Sequence, residues 1–205
     1  MIPFLLSLSL AADPGKPHEH TGVIAPYKGA PPVVSLSSDE QKALSAGEMV
    51  LKQDRSGNGG HAVAFLDIRS TPATVWSKIV NYGMYPTWVE NVAECEVYKR
   101  DGANIYTRFV LDPIGMTVEY YIKHTYNPSA GWLTWTLDYS RLSDLDESVG
   151  YWRVTALGTE PPRTRLEYSV DIRFKGWIPQ FAQDMISKKG LTNAVAWVKK
   201  QSEGG

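Results

Sequence analysis

Residues 164 to 179 read TRLEYSVDIRFKGWIP, and two patterns meet inside them. Thr164, Leu166, Tyr168, Val170, Ile172 and Phe174 alternate with Arg165, Glu167, Ser169, Asp171 and Arg173, the period of two expected of a strand with one wet face. After Lys175-Gly176-Trp177-Ile178-Pro179 the apolar spacing turns helical. This is the joint between a sheet and its lid. A long helix laid across a curved antiparallel sheet has to cover an apolar concavity, so function turns on what fills it.

Six more strands follow from alternation and turn residues. His61 to Arg69 is the first. Val92 to Arg100 and Ile105 to Leu111 flank Asp101-Gly102, a hairpin signal. Asp112-Pro113-Ile114-Gly115 leads into Met116 to Tyr126, and Asn127 to Gly131 into Trp132 to Tyr139. A polar loop then leads to Val149 to Leu157, and Gly158 to Pro162 turns the chain back. Ser37 or Ser38 caps a first helix, with Glu40 and Gln41 as capping-box partners and Leu44, Met49, Val50 and Leu51 on its apolar side. The run Arg55 to Gly60 (RSGNGG) is a turn rather than a phosphate cradle, because it precedes a strand and no Lys-Ser/Thr follows. Ser70-Thr71-Pro72 starts a helix through Val75, Trp76, Ile79 and Val80, and a short helical piece surrounds Trp88. The sum is an α+β fold: a curved antiparallel sheet of about seven strands, wrapped on a long C-terminal helix, with an internal cavity.

Composition narrows the function. A chain of 205 residues with 43% apolar content supports one core plus tails. A net charge of −1 argues against a nucleic-acid partner, whose phosphates call for a basic excess. The 7 Trp and 11 Tyr offer broad amphipathic surface for core or cavity. Cys95 stands alone, so no internal disulfide forms, and no zinc spacing exists.

Met1 to Leu10 is an apolar run of signal-peptide length, with small residues at Ser9-Leu10-Ala11, so residues 1–12 are expected to direct export to the periplasm or outside the cell. Residues 13–38, rich in Pro and Gly, are expected to form a flexible linker, 39–201 the domain and 202–205 a tail. His18-Glu19-His20 in that linker is weak evidence for a metal, and none is assigned.

Four motifs in order carry a resemblance: Ser70-Thr71-Pro72-Ala73-Thr74-Val75-Trp76, then Tyr85-Pro86-x-Trp88-x-x-Asn91-Val92, Gly150-Tyr151-Trp152-Arg153-Val154 and Lys175-Gly176-Trp177-Ile178-Pro179. Over residues 39 to 201 the chain resembles the steroidogenic-acute-regulatory-related lipid transfer (START) family of the helix-grip superfamily. That resemblance implies a tunnel for one lipid or sterol closed by the C-terminal helix, with transient membrane contact, a monomer and no cofactor. The superfamily also holds aromatic polyketide cyclases and quinone-binding chaperones, which keeps those readings open.

The resemblance points to polar side chains on two neighbouring strands, and Arg108 and His124 are the nearest matches. Tyr106, Arg108 and Val110 share one face, and Val118, Tyr120, Ile122 and His124 another. Trp135, Trp152 and Tyr168 fall on inward faces as core or ligand contacts, and Tyr82 and Trp88 sit by the short helices at one end. On the closing helix Phe181 and Met185 share an apolar face, opposite Leu191, Ala194, Val195 and Val198, so a kink is expected at Gly190 between them. Catalytic motifs are missing: there is no HExxH, no GxSxG and no Cys beside a base. Asp144, Asp146 and Glu147 read as a solvated acidic turn. A cyclase would have to use His124, Arg108 or Tyr120 as acid or base.

Overall fold

The computed structural model describes residues 12–57, 59–112, 117–175 and 187–204. Helix α1 (Ser38–Ser45) is capped by Ser37, whose hydroxyl accepts from the Glu40 amide while the Glu40 carboxylate accepts from the Ser37 amide. It does not run on through Val50 and Leu51 as expected. Gly47 takes a left-handed φ of 88°, which ends the helix, and the β-branched Val50 opens strand β1 (Val50–Ser56). β1 pairs with β2 (Gly59–Ile68), Val50 opposite Phe65. The glycine-rich run is therefore a hairpin, and the sheet has eight strands rather than about seven.

After β2 come α2 (Pro72–Ile79), a 3-10 turn (Tyr82–Met84) and the single turn α3 (Tyr85–Trp88). The remaining strands are β3 (Val92–Asp101), β4 (Asn104–Leu111), β5 (Val118–Asn127), β6 (Trp132–Leu137), β7 (Leu145–Thr159) and β8 (Pro162–Phe174). They form one sheet in the order β1-β2-β8-β7-β6-β5-β4-β3, antiparallel throughout. Helix α4 (Lys188–Glu203) closes the α+β arrangement, and its Leu191, Val195, Trp197 and Val198 join the core built by the inner faces of the strands. The kink expected at Gly190 is not found, because the helix there begins only at Lys188. Ser187 is extended and caps α4 by accepting from the Gly190 amide at 3.1 Å, so Gly190 lies in the first helical turn. Gly176 to Pro179 of the joint, with Phe181 and Met185, lies outside the described residues.

Strand parity sends Tyr120, Ile122 and His124 of β5 inward, opposite Phe109, Thr107 and Ile105 of β4. The other face was expected to be wet, yet Tyr121, Tyr151, Phe65, Val149 and Ser169 on it are all buried. Residues 13–38 cover much of it. Far from a free linker, this stretch is a strap held by side chains of the sheet. Asp13 bridges Leu142, Glu147 accepts the amides of Val23 and Ile24 at 2.5 and 3.2 Å, and Tyr27 meets Tyr151 edge-on at 5.2 Å. Arg153 donates to the carbonyls of Pro31 and Pro32, and Val34 and Leu36 pack with Leu44, Val63 and Phe65. The acidic cluster is thus no solvated turn: Asp144 accepts the Ala12 amide at 2.9 Å and Glu147 has no exposed surface.

Candidate functional site

The concave face of the sheet and α4 line a cavity of about 580 Å³, within the range of small-molecule sites. Its wall is aromatic because inward positions on adjacent strands carry rings in register. Phe109 and Tyr120 stack across β4 and β5, centroids 5.2 Å apart and 6° from parallel. Trp152 and Tyr168 pair across β7 and β8 at 4.5 Å, and Trp135 stacks on Tyr168 at 5.6 Å. Gly150, facing Trp135 across β6 and β7, leaves room for the indole. Trp135 donates its Nε1–H to the Ser148 hydroxyl at 3.2 Å. On the helical side Trp197 lies 4.9 Å from Tyr85, and both line the cavity. The charged side chains among the described lining residues, Asp54, Glu90 and Lys189, are solvent-exposed and form a rim, with the exposed His61 beside them. Asn193 of α4 donates to Glu90 across this rim.

One imidazole breaks the apolar wall. His124 shares its Nε2 with the Thr107 hydroxyl at 2.9 Å, while its buried Nδ1 has no hydrogen-bond partner among the described residues. Burial pushes its pKa down to about 3, so the ring is neutral. Tyr82 lies behind it with ring centroids 5.1 Å apart, and its buried hydroxyl is also unpartnered among the described residues. Desolvation raises that phenol well above its ordinary range. Cys95 is buried in the same core, its thiol pushed up to about 12 by burial and then by Glu96, as inert packing requires.

Of the residues singled out from sequence, Tyr120, His124, Trp135, Trp152 and Tyr168 come together in the cavity wall. Tyr82 stands one layer behind, and Trp88 stacks on the outer side of Trp197 at 5.9 Å. Arg108 is elsewhere. It lies on the convex face, where Nε and Nη2 donate to the two oxygens of Glu119 at 2.8 and 2.9 Å and Nη1 to Glu94 at 2.6 Å. Those carboxylates hold its pKa above the ordinary guanidinium range, the Glu119 hydrogen bond being the largest cause. The parity of β4 explains the miss: Ile105, Thr107 and Phe109 face in, so Arg108 faces out. Sequence reasoning also passed over Phe109, Ser148, Tyr85 and Trp197. The apolar period of β4 could have shown Phe109; Trp197 sits on the same helical face as Ala194 and Val198.

His18 and His20, with Asp146, place one candidate ligand atom each within 4.8 Å of the others. The hydrogen bonds oppose a metal there. His18 Nδ1 accepts the Ser143 amide and His20 Nδ1 accepts the Gly22 amide, which leaves the protons on both Nε2 atoms, where they donate to the Asp146 carbonyl and carboxylate. A metal on Nε2 would require each Nδ1 to carry a proton facing an N–H donor. The cluster is a clasp for the strap.

A family model described as polyketide cyclase/dehydrase and lipid transport matches residues 61–200. No curated protein sequence matches the chain. Among solved structures, a STAR-related lipid transfer protein from Xanthomonas axonopodis superposes with a TM-score of 0.59 at 13% identity, covering 75% of this chain and 93% of the other. The Zhui aromatase/cyclase from Streptomyces sp. R1128 gives 0.57 at 15%, covering 76% and 94%. Human StAR-related lipid transfer protein 5 gives 0.53 at 14%, covering 75% and 86%. At these identities the likeness is one of fold, and it is the helix-grip fold with a C-terminal helix over the sheet.

Proposed function

The chain belongs to the polyketide cyclase/dehydrase and lipid transport family, and from that membership we propose that it is a non-enzymatic carrier of one hydrophobic small molecule, a sterol, phospholipid or other lipid. One observation carries the reading: the cavity of about 580 Å³ is walled by stacked aromatic rings, with its charged groups at the rim. Such a wall removes apolar ligand surface from water, at roughly 25 cal/mol per Å².

A cyclase is the competing reading, since the family's description and the Zhui aromatase/cyclase both name that chemistry. It would need a proton-transfer group inside the cavity. His124 is the imidazole there, and a base with a pKa of about 3 is far from the operating range in which general bases work well. The phenols of Tyr120 and Tyr168 are pushed the other way by burial. Native mass spectrometry after incubation with a lipid extract tests the carrier reading, and a one-to-one complex is expected. A protein that retains no lipid yet turns over a poly-β-ketone substrate would overturn it.

A further inference from the structure

Tyr120 stands on β5 and Tyr168 on β8, separated in the sheet by β7 and β6. Both rings line the cavity. Each is fixed by stacking, Tyr120 on Phe109 and Tyr168 between Trp135 and Trp152. Two polar groups near them are matched within the protein: the Tyr85 hydroxyl donates to the Ile79 carbonyl at 2.6 Å, and the Trp135 N–H to Ser148. The Tyr120 and Tyr168 hydroxyls have no such partner among the described residues. Two rigid phenols lining one apolar cavity, without a hydrogen-bond partner among the described residues, form a site for a polar atom of the ligand.

We infer that the Tyr120 and Tyr168 hydroxyls donate hydrogen bonds to one uncharged acceptor oxygen, a carbonyl or hydroxyl oxygen, on a largely apolar ligand. The inference rests on the carrier reading and narrows it. Burial, with Tyr168 adding to it at Tyr120, raises both phenols above their ordinary range, so they keep their protons and act as donors. Among the described lining residues the basic groups, Lys189 and His61, stand at the exposed rim, so a charged head group drawn inside would lose its hydration without a partner. A plain hydrocarbon would leave two buried donors unmatched. Sites of this kind discriminate strongly against analogues that lack the polar group.

Three fluorescent probes of one skeleton test this: pyrene, 1-pyrenecarboxaldehyde and 1-pyrenecarboxylate, titrated into the full chain at pH 7. The aldehyde is expected to bind roughly tenfold or more tightly than either of the others, the worth of one or two hydrogen bonds to buried donors. Tyr120→Phe and Tyr168→Phe, which keep the stacked rings, should each reduce that preference and leave pyrene binding as tight or tighter. Equal binding of pyrene and the aldehyde, or a preference that survives both substitutions in variants shown to be folded by circular dichroism, overturns this inference and leaves the carrier reading standing. Binding of none of the three probes, together with an empty protein after lipid incubation, overturns both.

Discussion

The Glu147 carboxylate, which has no exposed surface, accepts the backbone amides of Val23 and Ile24 at 2.5 and 3.2 Å. The Tyr139 hydroxyl donates to its other oxygen. Burial of this polar group is tolerated because three donors replace its water. The strap therefore belongs to the folding unit: without it, the convex face would carry buried carboxylates and rings with nothing over them.

Replacing Glu147 with Ala should then lower the unfolding free energy by about 2–3 kcal/mol, since it strands three donors at once. Removing residues 1–38 should cost at least as much, because it also uncovers Tyr151 and Phe65. Urea denaturation followed by tryptophan fluorescence measures both. Wild-type stability in either variant would mean that the strap is detached in solution.

Much of the cavity wall was legible in the sequence, and the reasons for the rest are physical. Tyr120, His124, Trp135, Trp152 and Tyr168 follow from strand parity, which any uninterrupted alternation reveals. Arg108 was misplaced by one position because both faces of β4 carry apolar residues, Val110 outward and Phe109 inward, so alternation alone does not choose. β1 was hidden because consecutive Val50 and Leu51 suit a helix as well as an edge strand. The strap had no periodic signal at all. Its contacts are backbone amides and carbonyls meeting side chains more than a hundred residues away, and neither composition nor spacing records such pairs.

Arg108→Ala is expected to leave ligand affinity unchanged, because Arg108 lies on the convex face away from the cavity. Stability should fall by roughly 1 kcal/mol, as for a half-exposed ion-pair network with bidentate geometry. Isothermal titration beside a denaturation curve separates the two effects. A tenfold loss of affinity in a folded variant would return Arg108 to the binding site.

Stability should decline as the pH falls below about 6.5. Burial lowers the pKa of His124 to about 3, and that of His18 below its ordinary value. Both groups therefore bind fewer protons folded than unfolded. Their contribution is complete above the unfolded value of 6.5 and is lost as the pH drops toward the folded values, by up to about 1.4 kcal/mol per pH unit for each proton. His61 opposes this, since its hydrogen bond to Asp171 raises its pKa, but the pair is too exposed to outweigh two buried rings. Denaturation midpoints at pH 7, 6, 5 and 4 should fall in order, and His124→Leu should flatten the slope. An unchanged slope in that variant would show that His124 is not buried neutral.

Gly150 is where a single methyl group should disturb both fold and site. A Cβ there would lie 2.2 Å from Trp135 Cζ2 and 2.3 Å from the Ser169 carbonyl oxygen, far inside contact distance. The carbonyl belongs to the β7–β8 ladder and cannot retreat without opening it. The indole is held by its hydrogen bond to Ser148 and its stack on Tyr168, so it can yield only by swinging into the cavity. Gly150→Ala should thus cost roughly 1–3 kcal/mol of stability and weaken ligand binding, because the displaced ring fills space that the ligand needs. Adding Trp135→Phe should recover part of the loss, since a smaller ring makes room for the methyl group. The coupling between the two substitutions, read from a double-mutant cycle, is expected at 0.5 kcal/mol or more, as for residues in contact at about van der Waals distance. Strictly additive effects would mean that Trp135 does not rest on Gly150, and the wall of the cavity would have to be rebuilt without that contact.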